Sequence, residues 1–174
     1  MRVGGTEVEF REFFASQYGR LYWLGHLLTG DRAQAEDLAQ EALVRAWWTW
    51  ARVRTLDRPE TYVRKVLVNR HRSLLRRALL EARHARRTRA EEAYLPAGGE
   101  DGLVLWAAVQ RLSPRQRAVL VLRYHEDLTE AEVARLLRLP LGTVKTLARR
   151  GLAKLRAELA PPAQDYVRSA QEDQ

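Results

Sequence analysis

Thr143, Lys145, Thr146, Arg149 and Arg150 cluster near the end of the chain. Their cationic groups can pair with phosphate oxygens, and arginine forks also match guanine edges in a bidentate way. A second basic set stands earlier, with Arg64, Lys65, His71, Arg72, Arg76 and Arg77 around Tyr62 and Asn69. A ring and an amide beside arginines can stack on, or hydrogen-bond to, unpaired bases. Tyr62 could equally be a core-edge residue. A third set is acidic and polar: Glu36, Asp37, Gln40 and Glu41. At a helix start such groups either balance the helix dipole or present a docking surface for a partner. Other chemistries have no foothold. With no cysteine there is no disulfide, thiolate metal site or thiol nucleophile. His26, His71, His84 and His125 lack metal-ligand spacing and read as surface or boundary residues. No glycine loop for cradling phosphate is present. No enzymatic activity, metal or cofactor is expected.

The elements holding these residues are helical. Leu128–Arg156 reads as a helix-turn-helix. Thr129 with Glu132 forms a capping box, Leu128 can staple onto Val133, and Val133, Ala134 and Leu137 make one apolar face. Arg138-Leu139-Pro140 breaks the helix. The next helix turns Val144, Ala148, Gly151, Leu152 and Leu155 inward and the basic and hydroxyl set outward. Such a helix, held at an angle by its partner, fits a DNA major groove. An αα-hairpin with a solvated basic face has the same pattern.

Upstream, residues 1–5 look like a loose start. A helix from Thr6 carries Phe10, Phe13, Phe14, Tyr18 and Leu21, with Gly19 expected to interrupt or bend it. Gly30 suits a left-handed C-cap, and Asp31 with Gln34 an N-cap. A helix from Arg32 to about Arg52 should bury Leu38, Ala42, Ala46, Trp47 and Trp50. After a loop from Val53 to Arg58, Pro59 opens a helix to about Leu80. Val63, Val66, Leu67, Arg70 and Leu74 are expected inward; Arg64, Lys65, His71, Arg72, Arg76 and Arg77 outward. No acidic residue lies between Glu60 and Glu81, and a one-signed helix of this kind calls for a polyanion.

Residues 81–101 mix charges with Pro96, Gly98 and Gly99 and read as a linker, helical at its start and flexible at its end. A second domain begins near Gly102, with Leu103, Trp106, Val109 and Leu112 as an apolar stripe and a capped start at Ser113-Pro114-Arg115-Gln116. The tail 161–174 is expected to be disordered. The fold class is therefore all-α: two small helical domains, 6–80 and 102–160, joined by the flexible linker, the C-terminal one a helix-turn-helix. The 174 residues carry a formal charge of +8. Basic exceeds acidic by 14 to 9 in residues 1–78 and by 12 to 8 in 102–174, while the linker has 4 and 5. Two polyanion-facing domains on a tether fit that distribution. No secretion signal and no membrane-spanning run is visible, so a cytoplasmic location without membrane insertion is expected.

AEDLAQEALVRAWW, PETYVRKVLVNRHRSLLRR and LSPRQRAVLVLRYHEDLTEAEVARLLRLPLGTVKTLARRGLAKLR stand in that order. Together they closely resemble the extracytoplasmic-function (ECF) group of the sigma-70 family, over roughly residues 6–157. The resemblance implies a promoter-specificity subunit of bacterial RNA polymerase. It assigns Asp37, Gln40 and Glu41 to docking on the clamp helices of the beta-prime subunit. It assigns the loop near Val53–Asp57 and Tyr62, Arg64, Lys65, Asn69, Arg72 and Arg76 to the unwound −10 element. Thr143, Lys145, Thr146, Arg149 and Arg150 would read the duplex −35 element, beside the flap of the beta subunit. An anti-sigma factor is a further partner such proteins can have. Tyr62 stands where the family usually has tryptophan. Arg138 replaces a common turn glycine, and Leu147 a common arginine, so the −35 sequence cannot be carried over from relatives. The alternative is a stand-alone helix-turn-helix transcriptional regulator with a helical N-terminal interaction domain.

Overall fold

The computed structural model describes residues 3–82 and 99–160; among them it contains eight α-helices and no strand. They are α1 (Val3–Thr29), α2 (Arg32–Trp48), α3 (Trp50–Val53), α4 (Pro59–Ala82), α5 (Gly99–Gln110), α6 (Pro114–Leu120), α7 (Glu130–Leu137) and α8 (Leu141–Leu159). Local chemistry sets most of the starts. Asp31 accepts from the Gln34 backbone at 2.8 Å, while Gly30, at φ 78°, closes α1 by donating to the His26 carbonyl. Ser113 with Gln116 and Thr129 with Glu132 form the two expected capping boxes. Each cap contributes about 1 kcal/mol.

Several boundaries move. The first helix begins at Val3 and passes straight through Gly19 without interruption. An exposed glycine costs a helix only about 1 kcal/mol, and the aromatic row Phe10, Phe14, Tyr18 and Tyr22 along α1 outweighs it. The helix expected to reach Arg52 instead divides at Thr49, whose φ of −119° leaves the helical region. Helices claim both ends of the expected linker, through Ala82 and from Gly99. Its centre and the tail 161–174 lie outside the described residues. Leu120 does not end α6 cleanly: one π turn, Val121–His125, inserts an extra residue ahead of the helix-turn-helix.

In the first lobe α2 lies across α1 and α4. Leu24, Leu28, Leu38, Leu43, Val63 and Leu67 are buried there, each worth about 1.5–3 kcal/mol relative to exposure. In the second, α8 packs on α5, α6 and α7 over Val119, Leu122, Val133 and Val144. The two lobes touch. Helix α4 lies on α7, α1 touches α6 and the π turn, and one hydrophobic cluster runs through both. His26 of α1 stacks on Trp106 of α5, with ring centroids 4.5 Å apart and planes 19° apart.

Candidate nucleic-acid interface

Helices α7 and α8 carry the residues expected to form an interface at the C-terminal end. Val133, Ala134 and Leu137 are buried on α7, as are Val144, Ala148 and Gly151 on α8, which fixes the roll of α8. Lys145, Arg149 and Arg150 consequently face solvent, and Thr143 and Thr146 are half-buried beside them. The Thr146 hydroxyl donates to the Gly142 carbonyl at 2.9 Å, so it offers an outside partner lone pairs rather than its proton. Arg138 adopts the left-handed conformation, φ 53° and ψ 51°, and closes α7 where glycine would be strain-free. Pro140 stands at the N-cap of α8, which starts at Leu141. Leu147 is half-buried and packs against the core cluster. On the turn leading in, the Arg123 guanidinium donates to the Leu128 carbonyl.

The second basic surface lies on α4, and its residues are not equivalent. Lys65 and Arg76 are exposed; Tyr62 and Asn69 are half-buried. Tyr62 places its hydroxyl 3.4 Å from that of Thr49, joining the start of α4 to the end of α2. Arg64 and Arg72 meet the other lobe. Arg64 Nε lies 2.5 Å from the Glu126 carboxylate, with both side chains mostly covered. Arg72 donates to the Leu136 carbonyl at 3.3 Å. Burial holds the Arg72 guanidinium below its ordinary pKa, with repulsion from Arg138 and Arg76 adding to it.

The Arg70 stem was expected to cover apolar surface; the residue is exposed, and its guanidinium reaches out to Glu41 at 2.7 Å. Its place is taken by Val68 and by His71, expected outside and only 3% exposed. Burial, with the positive charge of Arg117 adding to it, pushes His71 down to about 4. His26, likewise expected near the surface, is buried, and burial lowers its pKa too. Arg117 is the counterpart from the second lobe. It donates to the Gln110 side chain at 2.5 Å and to the Gln110 carbonyl at 3.0 Å, and burial lowers its pKa.

The acidic set lies on the exposed side of α2. Glu41 is shared between Arg45 and Arg70, each at 2.7 Å, and Gln40 donates to Glu36 at 3.1 Å. Asp37 and Glu41 line one wall of a cleft of about 460 Å³ whose other side includes Arg70, His71, Pro114 and Arg117. Among the described residues no cluster of His, Asp and Glu could hold a metal, and no helix is long and apolar enough to cross a membrane. Sequence reasoning missed Glu126, the Leu136 carbonyl and Arg117. Their roles depend on long-range packing and leave no local pattern. It also placed Trp47 in the core, whereas Trp47 packs at the edge on Phe10, at 4.9 Å, and stays 43% exposed.

Comparison with known proteins follows the same division. Residues 13–79 match sigma-70 region 2, and residues 103–155 match sigma-70 region 4. The RNA polymerase sigma-E factor of Streptomyces coelicolor is 31% identical over 89% of this chain and 88% of its own. The ECF RNA polymerase sigma factor SigL of Mycobacterium tuberculosis is 30% identical over 91% and 95%. Among solved structures, the sigma factor RpoE of Bartonella quintana, crystallised with the anti-sigma factor NepR, aligns with a TM-score of 0.67 at 20% identity. That alignment covers 87% of this chain and 96% of RpoE, and it supports the fold.

Proposed function

The chain belongs to the sigma-70 family of RNA polymerase sigma factors, in its ECF group, and from that premise we propose how its surfaces share the work. Such a factor directs core RNA polymerase to promoters, and its partners are the polymerase and promoter DNA. The solvent-facing row Lys145, Arg149 and Arg150 on a capped helix-turn-helix carries the reading most directly. This row, with Thr143 and Thr146, enters the major groove of the −35 duplex: the cations anchor on phosphates and reach base edges, and the threonine oxygens accept from bases. The domain over 102–160 serves this role, beside the flap of the beta subunit.

The domain over 6–80 takes the −10 element. Tyr62 and Asn69 hold unpaired bases, while Arg64, Lys65, Arg72 and Arg76 follow the strand backbone. Capturing flipped bases offsets an unstacking cost of a few kcal/mol per base, so opening needs no nucleotide hydrolysis. The factor contributes binding energy and no catalytic group. Asp37, Gln40 and Glu41 dock on the clamp helices of beta-prime. For Arg64 and Arg72 to reach the strand, α4 must part from α7, with phosphate oxygens replacing Glu126 and the Leu136 carbonyl. An anti-sigma factor, such as the one bound to the Bartonella relative, is a further partner, and the site of action is the cytoplasm.

Run-off transcription with purified core polymerase, with and without this protein, on upstream fragments of its own genome tests the reading. The expected result is discrete, protein-dependent starts preceded by two spaced elements. No new transcripts, combined with tight duplex binding by the protein alone, would favour a stand-alone regulator.

A further inference from the structure

Three tryptophans stand within four positions across the end of α2 and the start of α3, and the fold treats each differently. Trp50 is buried, Trp47 sits at the core edge, and Trp48 is 77% exposed. Ala46, Trp50 and Val53 define the buried side of this segment, so Trp48 points away from the core. The second lobe, which engages Arg64 and Arg72, leaves Trp48 open. Val44 and Trp47 are 46% and 43% exposed as well, so this segment presents apolar surface to solvent rather than one stray side chain.

The setting indicates what would cover that surface. Thr49, the next residue, lies 3.4 Å from the Tyr62 hydroxyl, so Trp48 borders the strand-capture surface proposed above. Residues 44–65 contain six basic side chains and two acidic ones, Asp57 and Glu60. Arg45, Arg54 and Arg58 are each tied to a carboxylate, whereas Arg52 and Lys65 are exposed, so the stretch around Trp48 carries a net positive charge. A flat aromatic face in a positive surround suits a nucleobase on a phosphate backbone, and stacking takes any base because every base has a π-face.

We propose that Trp48 is a further strand-binding residue, stacking on a base of the opened −10 strand next to the one held at Tyr62. This rests on the sigma reading, and the test separates the two. Holoenzyme is assembled with wild-type, Trp48→Ala, Trp48→Phe or Trp48→Leu protein. Binding is measured to a promoter fragment found by run-off, as intact duplex and with its −10 element pre-opened by mismatches. Affinity for core polymerase is measured separately. Trp48 is exposed, so the fold does not depend on it, and circular dichroism checks that each variant folds.

Trp48→Ala should lose about tenfold in binding to the pre-opened fragment, the scale of one base–aromatic stack. Phenylalanine should restore most of that loss and leucine little, with duplex and core binding unchanged. Equal behaviour of leucine and phenylalanine, or a loss of core affinity, would assign Trp48 to an apolar protein contact and overturn the inference. So would unchanged binding in every variant. Failure of the wild type to support any transcript would overturn the sigma reading itself, and the inference with it.

Discussion

Arg149 and Asn69 lie on different lobes and are expected to act on different forms of DNA. Arg149 is exposed on α8, so Arg149→Ala should weaken binding to the −35 duplex by about tenfold. In the proposed division Asn69 on α4 presents its amide to unpaired bases, so Asn69→Ala should impair permanganate-detected opening and leave duplex binding intact. Equal effects of both changes in both assays would contradict the division. His71 gives a prediction of another kind. Its native value of about 4 lies below the ordinary 6.5, so protons favour the unfolded chain. The stability it contributes is complete above about pH 6.5, is lost as pH falls toward 4, and is gone below. Urea denaturation should show a loss of about 2 kcal/mol between pH 7.5 and pH 5. His71→Leu should flatten that slope, leaving the part due to His26, whose pKa is lowered in the same direction. A wild-type slope unchanged in the variant would remove His71 as its source.

At the scale of the element, close packing and turn conformation act most strongly where a backbone is crowded or left-handed. A β-carbon on Gly25 would stand 3.0 Å from the Ala35 α-carbon and 3.1 Å from its carbonyl oxygen. Backbone cannot yield as a side-chain tip does, so Gly25→Ala should push α1 and α2 apart and cost about 1–3 kcal/mol. Arg138→Gly should do the opposite. It relieves the left-handed strain at the end of α7 and removes a charge that presses on Arg72. A gain of about 0.5–1 kcal/mol in urea denaturation is expected. These elements also mark what could be read from sequence. The caps at Asp31, Ser113 and Thr129 were legible because a cap links residues three apart. The inner faces of α7 and α8 were legible because apolar periodicity is local too. The π turn was not, since no residue in Val121–His125 demands it. Nor were the orientations of Arg70 and His71. A helical wheel ranks polarity around one axis and cannot register that α6 brings Arg117 to one side of α4 while Glu41 waits on another.

For the whole molecule, the closed arrangement separates the two surfaces proposed for DNA by accessibility. The α8 row stays in solvent, whereas Arg64 and Arg72 of the proposed strand-facing surface are engaged across the lobes. The free protein should therefore hold duplex more readily than single strands, and releasing the lobes should raise the second activity alone. Glu126 is the natural point of release. Its bond to Arg64 is a charged link between the lobes, mostly shielded from solvent, and Glu126→Gln leaves shape nearly unchanged while removing the charge. Buried apolar contacts and the stack of His26 on Trp106 still hold the lobes, so the shift should be partial. Loss of the pair is worth roughly 1 kcal/mol, a three- to tenfold change in the open fraction. The chain has no cysteine, so thiols introduced at exposed Ala15 and Ala153 are unique sites for a donor and an acceptor dye. Energy transfer should fall in Glu126→Gln, and affinity for a single-stranded oligonucleotide should rise by the same factor while duplex affinity holds. Raised salt should act on the wild type in the same direction in energy transfer, because it screens the same pair. Energy transfer that does not change with either treatment would mean that apolar packing alone sets the lobe arrangement and that Glu126 has no part in guarding the strand-facing surface.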